Sequence, residues 1–170
     1  DELQIGGPSS KDNIKISNMK ILGTGSVTGI NAVCTNSTFR NLWVTGWALG
    51  MEVSWGSDNI VENCTSKSNS TSGILLSATE TRTKVISNIF SSNTIYGMNI
   101  AGTSYLQILN NTIQSNVQHG ISASCTNSIF MGNIITDNDV NNTATYDGII
   151  LSSGGDFNVI QGNRIKDNDR

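Results

Sequence analysis

A repeat constrains this chain more than any other feature. An Asn flanked by apolar residues recurs at Asn18, Asn41, Asn63, Asn88, Asn111, Asn133 and Asn163, at spacings of 23, 22, 25, 23, 22 and 30. A Gly opening a short apolar run keeps step with it, at Gly29, Gly50, Gly73, Gly97, Gly120 and Gly148. Both series lengthen near the end, where Asp139 to Asp147 reads as a loop bulging from the sixth coil. The apolar runs are three to five residues long and end in Asn, Ser or Gly, which suit tight turns. No stretch carries a 3.6-residue period, so helices are not expected. A period of 22 to 25 residues holding three short strands is one circuit of a three-sided solenoid. Each strand pairs in parallel with its counterpart one coil on, about 4.8 Å away. The expected fold is all-β, a right-handed parallel β-helix of about seven coils that runs as a single domain through residues 1–170.

In that geometry the Asn residues have a physical role. Identical amides stacked at strand spacing donate in one direction and accept in the other, which satisfies a buried turn. A second series, Asn93, Asn116, Asn138 and Asn168, follows five residues behind the first. The register of the earliest coils is open by one residue. Ile21 and Val44 sit three after their anchors, whereas Phe90, Ile113 and Ile165 sit two after theirs. Charged residues make up only 14% of the chain, a composition that also fits disorder, but disorder predicts no such regular pattern.

The stretch Asn158–Val159–Ile160–Gln161–Gly162–Asn163–Arg164–Ile165–Lys166–Asp167–Asn168 resembles the parallel β-helix repeat of pectate lyases, NosD-like periplasmic proteins and phage tailspikes. The resemblance extends from about Asn13 to Asn168 and implies the fold, in a superfamily that hosts lyases, hydrolases, epimerases, adhesins and scaffolds. Two segments are similar to polygalacturonase motifs: Gln118–His119–Gly120–Ile121–Ser122 and Arg164–Ile165–Lys166. Glycoside hydrolysis by that route needs two carboxyl groups across the scissile bond. No Asp or Glu occurs between Glu80 and Asp137, so the pair is missing and His119 reads as a turn residue.

Other chemistry is sparse. A lyase needs carboxylates around a hard cation and a base. The one acidic cluster, Asp137, Asp139 and Asp147, is a candidate Ca²⁺ site, with solvated turn residues as the plainer reading. No other cofactor is expected. Trp43, Trp47 and Trp55 fall within one period, where an indole either packs at the coil end or stacks on a sugar. Glycosylation sequons in predicted turns make Asn36, Asn69 and Asn141 acceptor candidates, while Asn63 reads as a buried anchor. Cys34 and Cys125 lie four coils, roughly 19 Å, apart, too far for a disulfide. A net charge of −3 argues against nucleic-acid binding, and no apolar run is long enough to insert in a membrane.

The ends carry a further expectation. Leu3–Gln4–Ile5 looks like a strand equivalent to Ile149–Ile150–Leu151, and joining Asp1 of one copy to Arg170 of another continues the period at 25 residues. Leu3, Ile5, Ile165, Asn168 and Arg170 are therefore candidate stacking residues for head-to-tail self-association. No Asp, Glu, Lys or Arg lies between Val85 and Thr136, which would permit lateral packing. The expected function is a non-catalytic structural solenoid, extracellular or at the cell surface, that forms a filament or layer. The alternatives are a fragment of a carbohydrate-active β-helix protein, a polysaccharide lyase or tailspike, and a sugar-binding module.

Overall fold

The computed structural model describes residues 3–6, 11–152 and 155–168, a right-handed parallel β-helix with no helix among the described residues. Three parallel sheets form its walls, and each is seven rungs deep. The first sheet runs from Leu3–Ile5 to Ile149–Leu151, the second from Lys15–Ser17 to Val159–Gln161, and the third from Lys20–Leu22 to Arg164–Lys166. Lys11–Asp12 adds a short extra strand against the end of Thr28–Thr35. Leu3 pairs with Ile30 and Ile5 with Ala32, so the first segment is the rung the sequence predicts.

Alternation along each strand sends one residue inward per coil, and these residues stack in rows. Ile30, Met51, Ile74, Met98 and Ile121 form one buried row, and Phe39, Val61, Val85, Ile108 and Phe130 form another. The repeat glycines have a packing reason. A Cβ at Gly50, Gly73 or Gly120 would meet the carbonyl oxygen of the next coil's glycine at 2.6–2.7 Å, closer than any side chain tolerates.

The Asn anchors divide into two kinds, which corrects the single series read from the sequence. Strand register aligns Lys20, Trp43, Thr65, Ile89, Thr112, Ile134 and Arg164. The residue before each is then Met19, Leu42, Cys64, Asn88, Asn111, Asn133 and Asn163. Only the last four coils carry the amide at that place. Asn88 Nδ2 donates to Asn111 Oδ1 at 3.0 Å, Asn111 to Asn133 at 3.0 Å, and Asn133 to Asn163 at 2.9 Å. In the first three coils Asn18, Asn41 and Asn63 stand one place earlier, exposed, with φ of 52–59°. Asn tolerates that left-handed conformation, so the same letter does a turn's work there. Asn63 is accordingly not buried. The second ladder gains a rung, because Asn69 Nδ2 donates to Asn93 Oδ1 at 2.9 Å.

Candidate functional site

The three tryptophans separate. Trp47 is 5% exposed and occupies the ladder position one coil before Asn69, whose Oδ1 accepts its backbone N–H at 3.1 Å. Gly23 packs against its indole, so Trp47 is a core residue and cannot offer a face to a sugar. Trp43 is 38% exposed on the outer face of the third sheet. The Lys67 and Lys20 ammonium groups lie 4.8 and 5.8 Å from its ring centroid, so cations already engage that ring.

Trp55 is different. It is 65% exposed and holds φ at 56°, an uncommon conformation for a bulky side chain. The cause is a β-bulge. Val33 pairs with Ser54 and Thr35 with Ser57, so Trp55 and Gly56 together face Cys34. The next coil holds the bulge from beneath through buried Glu80. Its Oε2 accepts the Gly56 N–H at 3.0 Å, and its Oε1 accepts Asn59 Nδ2 at 2.7 Å and the Thr83 hydroxyl. Burial pushes the Glu80 carboxyl above the ordinary range, against these hydrogen bonds, which lower it. The bulge recurs on the following two coils. Ala78 and Thr79 have φ of 53° and 68°, and Gly102, at 69°, is the extra residue between Ala101 and Thr103. Trp55 therefore stands at the head of a protruding corner three coils long.

The long loop does not gather its carboxylates. Asp139 is buried, and its oxygens accept the Thr143 hydroxyl at 2.8 and 2.9 Å and the Thr145 N–H at 3.3 Å. Asp147 turns instead toward His119, whose Nδ1 accepts the Asp147 N–H at 2.8 Å. Asp137 is exposed. Among the described residues no three His, Cys, Asp or Glu side chains come close enough to hold a metal ion, and Asp137, Asp139 and Asp147 are not brought together. Of the three acids, Asp139 alone is engaged by the loop's own hydroxyl and backbone groups. Tyr96 stacks on His119 at 5.9 Å and Tyr146 meets it edge-on at 5.1 Å. His119 thus braces the loop, a role that reading it as a turn residue did not show. The available signal was that Tyr96, His119 and Asp147 all precede a repeat Gly, which stacks them on successive coils.

Of the glycosylation candidates, Asn36 and Asn141 are exposed. Asn69 is 1% exposed, with its amide donating to Ser66 and Asn93. The thiols Cys34, Cys64 and Cys125 are free and buried. Desolvation pushes Cys34 and Cys64 up to about 11. Of the stacking candidates, Ile5 is buried and Leu3 partly so, Asn168 closes the second ladder at 2.8 Å from Asn138, and Arg170 lies outside the described residues. Ile165 is 49% exposed.

The sequence model of a family described as periplasmic copper-binding protein (NosD) matches residues 9–146. No curated protein matches the sequence. Among solved structures, the T265N mutant of the periplasmic alginate epimerase AlgG superposes with a TM-score of 0.74 at 14% identity, covering 90% of this chain and 40% of that one. The A-module of the Azotobacter vinelandii mannuronan C-5 epimerase AlgE6 gives 0.73 at 16% identity, covering 91% of this chain and 47% of that one. The chain thus spans less than half the length of these structures, and the likeness is one of fold.

Proposed function

The chain belongs to the NosD family, and on that premise we propose that it is an extracytoplasmic, non-catalytic β-helix that binds carbohydrate through the corner headed by Trp55. The observation that carries this is the indole itself, 65% exposed on a backbone whose unfavourable φ is held by a buried Glu80. An exposed indole supplies a large flat surface for a sugar ring. The periplasmic setting in the family description supports a location outside the cytoplasm, and the neighbours' action on alginate supports a polysaccharide ligand.

The residues do not fit the copper of the family description. Copper takes imidazole, thiolate or thioether ligands. Here the three thiols are buried and protonated far above neutrality where a value is resolved, and the lone His119 braces a loop. Of the methionines, Met51 and Met98 are buried in the core, and the exposed Met19 and Met131 stand several coils apart.

Affinity electrophoresis against a panel of neutral and acidic polysaccharides tests the proposal. Retardation by at least one glycan that Trp55→Ala abolishes and Trp43→Ala leaves intact supports it; migration unchanged across the panel refutes it.

A second reading, head-to-tail stacking, is favoured by the last described coil. Ile160 and Ile165 stand 45% and 49% exposed at places that Phe130 and Ile135 fill, fully buried, one coil earlier. In this reading a second copy covers them. Filaments growing with concentration under negative stain would support it, and compact particles at every concentration would sink it.

A further inference from the structure

We infer that the corner headed by Trp55 opens, on its second-sheet flank, into a groove for an acidic glycan, with Tyr105 as a second ring platform and Lys84 as the counter-charge. This rests on the carbohydrate reading of Trp55 and names the ligand class. The turn from the first sheet to the second places one left-handed residue on each coil. Asn36, Asp58, Arg82, Tyr105 and Asn127 occupy successive coils there, with φ between 51° and 58°, and all five are exposed. Two residues after the last three, Lys84, Gln107 and Ile129 pair in register as a row on the outer face of the second sheet. A groove of about 420 Å³ lies between this row and the column of turn residues, from Asp58 to Asn127.

The lining of the groove suits a sugar. Low on the column, Asn36 Nδ2 donates to Asn13 Oδ1 at 2.6 Å, so neighbouring amides satisfy each other. Tyr105 puts a phenol ring, 57% exposed, where an amide would stand, and the exposed Asn127 one coil on has no amide below it to bond. A ring offers its face to a sugar, and Asn127 and Gln107 each carry donors and an acceptor for sugar hydroxyls. Trp55 lies three residues before Asp58, within about 11 Å along the chain. Tyr105 stands two coils beyond Asp58, about 10 Å along the axis. An oligosaccharide lying along the axis therefore meets both rings.

Charge selects the ligand class. Arg82 is committed to Asp58 through two hydrogen bonds of 2.8 and 2.7 Å, so that pair is neutral. Lys84 is exposed and, among the described residues, forms no ion pair. Two cations against one carboxylate leave the groove with one positive charge, in a chain whose net charge is −3. The other acids nearby do not cancel it. Glu62 is bound to Arg40, Glu80 is buried under the corner, and Asp156 lies past Asn127 at the far end. Lys84 and Tyr105 belong to adjacent coils, about 4.8 Å apart along the axis, so a sugar stacked on the ring holds its carboxylate or sulfate within reach of the ammonium. A neutral sugar leaves that charge to water.

Titration calorimetry with maltohexaose, sulfated maltohexaose and hexagalacturonate tests this with neutral, sulfate and carboxylate probes. The expected result is that at least one acidic probe binds, and that maltohexaose binds at least about ten-fold more weakly. The stronger of the two acidic probes identifies the anion. Lys84→Gln should weaken that probe about ten-fold, the loss of a charge-assisted hydrogen bond. Tyr105→Asn, which installs the residue that this turn carries at Asn36 and Asn127, should weaken it about five-fold through the lost ring. Melting temperatures should not change, and Lys67→Gln on the third sheet should leave binding as it was. If maltohexaose binds as well as the acidic probes, or Lys67→Gln costs as much as Lys84→Gln, the acidic groove falls. If binding depends on Trp55 and ignores both Lys84→Gln and Tyr105→Asn, the groove falls and the tryptophan reading stands. If none of the three probes binds, the groove falls, and the wider polysaccharide panel decides Trp55 separately.

Discussion

Asn111 offers the sharpest test of what holds the solenoid together. It is fully buried and makes four side-chain bonds. Its Oδ1 accepts the Asn88 backbone N–H at 2.9 Å and Asn88 Nδ2 at 3.0 Å, and its Nδ2 donates to Val85 O at 2.8 Å and Asn133 Oδ1 at 3.0 Å. Asn111→Ala removes all four. Asn88 Nδ2 keeps Val61 O at 2.9 Å, and Asn133 Oδ1 keeps the Asn111 N–H at 2.9 Å. The Asn88 N–H loses the acceptor this ladder gives it, and a buried unsatisfied group costs about 1–3 kcal/mol. Adding the lost bonds at Val85 and Asn133 gives a destabilisation of about 3 kcal/mol. At a urea dependence of about 2 kcal/mol per molar, the unfolding midpoint should fall by about 1.5 M. Asn110→Gly, one residue away, is the control. Asn110 is exposed with φ of 54°, a conformation that Gly accepts freely. Its midpoint should stay within about 0.25 M of the parent. Urea titrations followed by circular dichroism measure both. Equal midpoints for the two variants would refute the view that the ladder, and not merely Asn-rich turns, secures the coils.

Three further outcomes follow from the same geometry. With the Cys34 and Cys64 thiols pushed up to about 11 and Cys125 raised by the same burial, a disulfide reagent at pH 8 should label none of them in the native chain and all three in urea. Glu80 has a native pKa above its unfolded value, so between the two the native state binds more protons. Its contribution is fully present below the unfolded value and is lost as pH rises through the native one, and Glu80→Gln should flatten that decline in melting temperature. Expressed in a glycosylating host, the chain should carry no glycan at Asn69, and mass spectrometry of peptides covering Asn36, Asn69 and Asn141 would show it.

Much of this fold was legible because a solenoid writes its period into the chain. The repeat Gly must lack a Cβ for the coils to approach, and the inserted loop declared itself by delaying two series at once. What misled was that one residue type serves two purposes. Asn41 caps an exposed turn and Asn111 fills a buried ladder, and only the distance to the next inward residue, three against two, separates them. Asn69 was hidden for the same reason, as a sequon that is also a rung. The candidate site was less legible. Trp55 was visible as a tryptophan, but its exposure depends on a bulge set by coil-to-coil register, which no local pattern encodes.

The most direct test of the account is a nitrogen–proton correlation spectrum of the three indole N–H groups during titration with the glycan that binds best. Trp55 should shift progressively and saturate, Trp47 should stay fixed because it is buried, and Trp43 should move little. A titration that moves Trp43 alone, or none of the three, would contradict the assignment of carbohydrate binding to the Trp55 corner.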